Sequence, residues 1–373
     1  MHIAYLSSAL SVHDERFLSK LVERGHRTTL ITYYPGALPP RIAAIRGLAV
    51  IHQRPGFLAR YDSGLFAFKA PGLRRLLSAL RPDVLHSGYV WKDGFAGALA
   101  GFHPHLVMPW GSDILIEPDR SLVLRWIVRY VLRRADTITC DCAAVADKIV
   151  ALSEYPRDRI VVFPWGVDRT VFHPGAPPTP IRGERGWDGT VILIMTRSFE
   201  PVYNVAGFVA ALPAVLRARP DVRVLLVGAG SQEGLLRAMV RRLGLGDTVH
   251  FLGRVSPEHL AGYLRAADLY VSNSLSDGAS LSLLEAMACG LPVVVTDVPA
   301  LLEWVEPGLN GLVARRGDSD ALARTLLDAL ADRERLSGMG ARNAAVARER
   351  ADWERNVDTL EGIYRTLAAE ARA

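Results

Sequence analysis

Eleven short apolar runs, separated by amphipathic stretches, constrain this chain more than any other feature. Six lie in the first half: IAYLSS, RTTLITYY, LAVIHQ, PDVLHSG, HLVMPWGS and DTITCD. Five lie in the second: TVILIMTRS, VRVLLVGAG, TVHFLGRV, LYVSNS and LPVVVTD. Helical patterns fall between them, including DERFLSKLVERGH and the stretches 121–134, 205–218, 232–243, 257–266 and 281–289. Alternating buried strands and helices build parallel sheets covered on both faces. A length of 373 residues suits two such α/β domains better than one. Half the residues are apolar, enough for two cores. The halves are joined by PWGVDRTVFHPGAPPTPIRGERG, rich in proline and glycine. We therefore expect domains at 1–170 and 171–352. A final segment, 353–373, carries a helix from about Trp353 to Ala368 that is separated from the second sheet and can pack back on the first domain.

Several classes are disfavoured. No apolar run approaches the ~20 residues that cross a bilayer. The chain enters HIAYLSS almost at once, without a basic leader region. Cys140, Cys142 and Cys289 have neither metal nor disulfide spacing, which suits a reduced, cytoplasmic protein. Cys289 reads as helix packing rather than as a nucleophile. Residues 1–165 hold 21 Lys+Arg against 14 Asp+Glu, whereas 166–373 hold 23 against 25. The first half thus favours an anionic partner. It lacks a recognition helix or a basic–aromatic platform, so nucleic acid is not expected.

The stretch DGASLSLLEAMACGLP (277–292) carries the strongest chemical signal. A loop of small residues runs into a helix that ends at Gly290 and Pro292. Ser280 is a good N-cap. The first-turn amides and the positive dipole end suit a diphosphate. Glu285 lies on the same side as Ser282 and can accept hydrogen bonds from two vicinal hydroxyls, such as those of a ribose. The bland alternative is an ordinary surface loop and packed helix.

Six segments in order resemble glycosyltransferase family 4: FPWGVDRTVFHP (163–174), TRSFEPVYN (196–204), LLVGAG (225–230), FLGRV (251–255), DGASLSLLEAMACGLPVVVTD (277–297) and VEPGLNGLV (305–313). The resemblance spans essentially the whole chain. It implies the GT-B fold, two facing Rossmann-like domains with parallel sheets. It also implies a retaining, metal-independent transferase using a nucleotide-diphosphate sugar as substrate, with no cofactor.

By that resemblance the acidic pair falls on Asp277 and Glu285, with Asp277 near the sugar and Glu285 on the donor ribose. The backbone at Ser280, Leu281 and Ser282 takes the diphosphate. Arg197 is the phosphate-binding arginine, able to grip oxygens bidentately. Relatives often carry a lysine six residues beyond it; this chain has Tyr203. Gly228 and Gly230 let backbone approach a ligand, and Arg254 lies where relatives read the base. In the first domain Ser11, His13 and Asp14 are acceptor-side candidates. His86 matches the first histidine of an H-x-H run whose second position is Gly88. It is either a cleft residue near the reacting sugar or a buried structural histidine. Trp110-Gly111-Ser112-Asp113 resembles an H-G-S-D segment, with Asp113 a cleft residue or a cap.

No D-x-D metal motif occurs in the cleft segments, so no divalent-metal requirement is expected. No nucleophile stands out either; front-face substitution with the leaving phosphate as base fits a retaining enzyme without one, a stereochemistry that the resemblance implies. A pyridoxal-dependent phosphorylase is excluded, because no lysine follows Lys148. A nucleotide-sugar epimerase or hydrolase, and a catalytically silent binding subunit, stay open. Arg125, Arg129 and Arg133 share one helix face beside Trp126 and Tyr130. That pattern fits either an ordinary surface helix or peripheral membrane contact, with a glycan or lipid-linked, phosphate-bearing acceptor.

Overall fold

The structure is a computed structural model that describes residues 1–8, 10–34, 36–53 and 69–372. The chain divides into two compact units, 1–163 together with 357–373, and 164–356.

The first unit is built on seven parallel strands: β1 His2–Leu6, β2 Arg27–Thr32, β3 Ala49–His52, β4 Val84–Gly88, β5 His105–Met108, β6 Thr137–Cys140 and β7 Ile160–Val162. Their order is β3-β2-β1-β4-β5-β6-β7. Every residue of β1, β4 and β5 is buried, which is why these strands read as continuous apolar runs. The sequence pattern marks six of the seven strands. β7, with three residues, is too short to show a period. The order reverses between β1 and β4, placing a topological switch point at their carboxyl ends.

The second unit holds β8 Val191–Met195, β9 Val222–Val227, β10 Val249–Gly253, β11 Leu269–Ser272, β12 Val293–Thr296 and β13 Gly311–Ala314. They form a parallel sheet in the order β10-β9-β8-β11-β12-β13. Its switch point lies between β8 and β11, so Arg197 and the 273–280 loop emerge side by side. One stretch, Pro201–Ala218, is long and apolar enough to resemble a membrane span. Its first three residues are a 3-10 turn, and Asn204 then takes a left-handed conformation. The α-helix proper, Val205–Ala218, has fourteen residues, about 21 Å against a hydrocarbon core of about 30 Å. Phe208, Val209, Leu212 and Val215 are buried in the unit's core, so this is a core helix.

The last helix, Trp353–Glu370, begins in the second unit, and from Val357 it belongs to the first. Glu361 there pairs with His26 (2.8 Å), and Arg372 with Asp83 (2.7 Å). Tyr364, fully buried, hydrogen-bonds to Nδ1 of His86 (2.5 Å).

Candidate active site

Arg197 follows β8 by two residues and is only 8% exposed. Its Nη1 donates to the hydroxyls of Ser280 (2.6 Å) and Ser282 (2.8 Å), and its Nη2 to Asp277 (2.7 Å). The guanidinium lies over the Tyr203 ring, 3.9 Å from its centroid. Nε is also buried and has no hydrogen-bond partner among the described residues. Burial opposes the charge, but Asp277 and the hydroxyl groups of Tyr203 and Tyr270 more than offset it, so the arginine stays cationic. Burial raises the Asp277 pKa, and Arg197 draws it part of the way back. The aromatic ring in place of a second cation thus braces the first one.

The helix Leu281–Ala288 begins here. Ser280 has the extended backbone of an N-cap, yet its side chain makes no capping bond, because the hydroxyl is held by Arg197. The expectation of a serine cap is corrected accordingly. Ser11, Ser121, Asn204, Ser256, Asp318 and Asp332 all cap their own helices with side chains. The 281 helix instead presents amides without a side-chain cap, together with its positive dipole end, beside a buried cation. Ser282 also accepts from the Tyr270 hydroxyl (2.9 Å). Leu281 and Glu285 are partly exposed along the same helix, and Arg254 is exposed after β10.

Gly228 and Gly230 are packed tightly against the 197–199 segment. A Cβ on Gly228 would lie 2.2 Å from the Arg197 carbonyl oxygen, and one on Gly230 would lie 2.6 Å from the Phe199 backbone. Their open space is filled by the 197–199 segment, which the β9 loop holds through Phe199 N–H to the Ala229 carbonyl (3.1 Å). These glycines position Arg197. Cys289 is buried, and burial pushes its thiol up to about 12, consistent with packing.

In the first unit most candidates are engaged in the fold. His86 is fully buried, and burial pushes it down to about 3, so it is a neutral core residue between Tyr5 and Tyr364. The cleft alternative is thereby corrected: a β4 side chain packed against β1 and the last helix has no path to a ligand. Asp113 is likewise buried. Its carboxylate accepts from the backbone N–H of Val90 (2.8 Å) and Trp110 (2.9 Å), clipping together the loops that follow β4 and β5. Ser11 and Asp14 form a reciprocal capping box, and Asp14 also accepts from Tyr5 (3.1 Å). Of the three acceptor-side candidates, His13 alone has no capping role. It is partly exposed, with its ring 5.0 Å from that of Trp110.

Sequence reasoning missed Asp93. It is 1% exposed and binds both the backbone N–H (2.9 Å) and the hydroxyl (2.6 Å) of Ser8, just after β1. Burial raises it to about 7. It lies in a π-helical turn, Val90–Gly94, entered through Tyr89 at φ +63°. Such turns and strained residues cluster at functional sites. Nothing in the spacing of WKDGF singles out this aspartate.

Gly88 and Trp110 are one packing event. A Cβ on Gly88 would lie 2.5 Å from the Trp110 indole nitrogen. Gly88→Ala is expected to cost about 1–3 kcal/mol by overpacking. Much of that should vanish in the Trp110→Ala background, giving a non-additive double-mutant cycle in urea unfolding. Additive costs would show that the two positions are uncoupled.

Residues 179–346 match the family model of Glycosyl transferases group 1, and residues 11–166 that of a Glycosyl transferase 4-like domain. The chain is 31% identical to a D-inositol 3-phosphate glycosyltransferase of Nocardia farcinica, over 97% of this chain and 85% of that protein. It is 29% identical to a GDP-mannose-dependent monoacylated alpha-(1-6)-phosphatidylinositol monomannoside mannosyltransferase of Corynebacterium glutamicum, over 77% of this chain and 75% of that one. Among solved structures it is similar in fold to sucrose-phosphate synthase from Thermosynechococcus elongatus (TM-score 0.83, 21% identity, 99% of this chain and 100% of that one). It is also similar to Anabaena HepE in complex with UDP-glucose (TM-score 0.79, 22% identity, 97% and 100%). With its two parallel sheets and matches along both halves, the chain belongs to glycosyltransferase family 4 and is a glycosyltransferase of GT-B fold.

Proposed function

We propose that this enzyme transfers a sugar, with retention and without a metal ion, from a nucleoside-diphosphate donor to a phosphate-bearing or lipid-linked acceptor in glycoconjugate assembly. One observation carries the donor side: a buried, cationic Arg197 beside a helix start that lacks a side-chain cap, with Nε still without a partner among the described residues. A diphosphate placed there competes with Asp277 for Nη2 and meets Nε and the first-turn amides. These donors are preorganised, so charge growing on the leaving phosphate is stabilised without reorganisation. Glu285 along the same helix receives the ribose hydroxyls, and Asp277, once exchanged for phosphate, is free to turn to the sugar. Metal independence is the part of this proposal that comes from the family resemblance, and turnover unchanged by EDTA is its expected result.

The acceptor reading rests on charge and on relatives. Residues 1–165 carry the positive excess, and the two relatives above are named for inositol phosphate and phosphatidylinositol acceptors. We place the enzyme in the cytoplasm, in peripheral contact with a membrane.

A thermal-shift series with UDP-, GDP-, ADP- and dTDP-sugars tests the donor site. One family is expected to raise the unfolding midpoint by several degrees at saturation. Glu285→Ala should weaken that donor about 10- to 100-fold, the loss of hydrogen bonds to a charged acceptor. No stabilisation by any of the four would remove the donor assignment. An unchanged midpoint shift in the variant would remove Glu285 from it. Conversion of donor without any acceptor would indicate an epimerase or hydrolase instead.

A further inference from the structure

We propose that the outer face of the Leu122–Leu132 helix seats the protein on an anionic lipid bilayer. This deepens the membrane contact proposed above and rests on that reading, not on the donor site.

The helix is two-sided. Ile127, Val128, Val131 and Leu132 are buried in the first unit. The opposite face exposes Leu122 (84%), Val123 (68%) and Trp126 (59%), three large apolar side chains within five residues. Trp126 is stacked on Tyr130 at 5.4 Å and meets Phe95 edge-on at 6.5 Å, so the indole is held in place from below. Four arginines accompany them, Arg125 between Val123 and Trp126 and Arg129, Arg133 and Arg134 further along. Arg125 and Arg129 have no carboxylate partner among the described residues. Arg133 donates to the Ser153 carbonyl and lies 3.6 Å from Glu154, and Arg134 stacks on the Tyr130 ring at 4.5 Å. The nearby acids before the helix are engaged elsewhere, Glu117 with Arg120 and Asp119 with Lys148.

Exposed apolar groups clustered on one helix face and rimmed by charge mark an interaction surface, as singly scattered ones do not. A second copy is a poor occupant, because a two-fold contact would set four arginines against four. An anionic bilayer satisfies both halves of the pattern. Leu122, Val123 and the Trp126 ring enter the boundary between headgroups and acyl chains, while the arginines reach lipid phosphates along their aliphatic stems. The apolar groups gather in the first turn and a half, so that end of the helix goes deeper.

The test is co-sedimentation of the full chain with phosphatidylcholine vesicles, with and without phosphatidylglycerol, in the absence of any sugar donor. Binding is expected only with phosphatidylglycerol and should weaken as salt is raised. R125Q/R129Q should lower partition about thirtyfold, as expected for two basic residues at an anionic surface. L122S/W126S should lower it at least tenfold through lost apolar burial. Leu122, Arg125 and Trp126 are exposed and Arg129 is half-buried, and none lies in the core, so both variants should stay close to the wild-type unfolding midpoint, which shows that they fold. Equal binding to neutral vesicles, or full retention by either variant, would overturn the proposal. Self-association without vesicles that L122S/W126S abolishes would also overturn it, assigning the face to a second copy. No donor is present, so failure here leaves the glycosyl-transfer reading untouched, and failure of the donor screen leaves this one untouched.

Discussion

Arg197→Ala is expected to lower turnover about 10²- to 10³-fold, the usual loss when one preorganised charge stabiliser is removed. The same change should also destabilise the ligand-free protein. It leaves Asp277, whose side chain is only 11% exposed, without its guanidinium, and breaking a buried pair from one side costs about 3–5 kcal/mol. The upward pKa of Asp277 offers partial relief, because the carboxyl can take a proton. The two effects separate in a second variant. Arg197→Met with Asp277→Asn removes both charges while keeping volume, and such a replacement of a buried pair is often neutral for stability. The double variant should recover most of the unfolding midpoint yet stay as slow as Arg197→Ala. Arg197→Lys keeps a charge but loses the fork that now reaches two serines and an aspartate, and should fall between. A folded Arg197→Ala enzyme with near-normal kcat would end the assignment of this arginine to the leaving group.

The parts of this site that were legible from sequence share a property. Arg197, Asp277, Ser280 and Ser282 each follow or open an element whose apolar pattern is unmistakable, so their placement at one switch point follows from the strand order. What was not legible depends on which side chain reaches which backbone. Gly88 and Trp110 read as two separate departures from the family pattern, and only the 2.5 Å from a Cβ at 88 to the Trp110 indole shows that this tryptophan leaves room there for glycine alone. Asp113 and Asp14 read as acids near strand ends. Asp14 is consumed by the Ser11 amide of its own loop, and Asp113 by the amides of Val90 and Trp110 in two loops, uses that no spacing distinguishes from catalysis. His86 stands in a run of five buried residues, VLHSG, and its partner Tyr364 lies 278 positions away. Asp93 was invisible for the opposite reason: its burial comes from a π-turn that the sequence does not announce.

Gly228→Ala should be the most damaging small substitution in the second unit. Two costs coincide there. The residue holds φ at +145°, where an L side chain is strained, and a Cβ would meet the Arg197 carbonyl oxygen at 2.2 Å. Backbone cannot rotate aside as a flexible side chain can, so the 197–199 segment must shift. Together the strain and the overpacking amount to about 3–5 kcal/mol, a fall in the unfolding midpoint on the order of 10 °C for a unit of this size. Because the displaced atom belongs to Arg197, the molecules that still fold should also bind donor more weakly. Gly244→Ala provides the comparison. That glycine has φ +68° and nothing within 4 Å of a new Cβ, so it should lose only the left-handed penalty, about 1–2 kcal/mol, with donor binding intact. Equal losses at the two positions would mean that the contact with Arg197 yields easily. The claim that the β9 loop fixes this arginine for its phosphate would then fail.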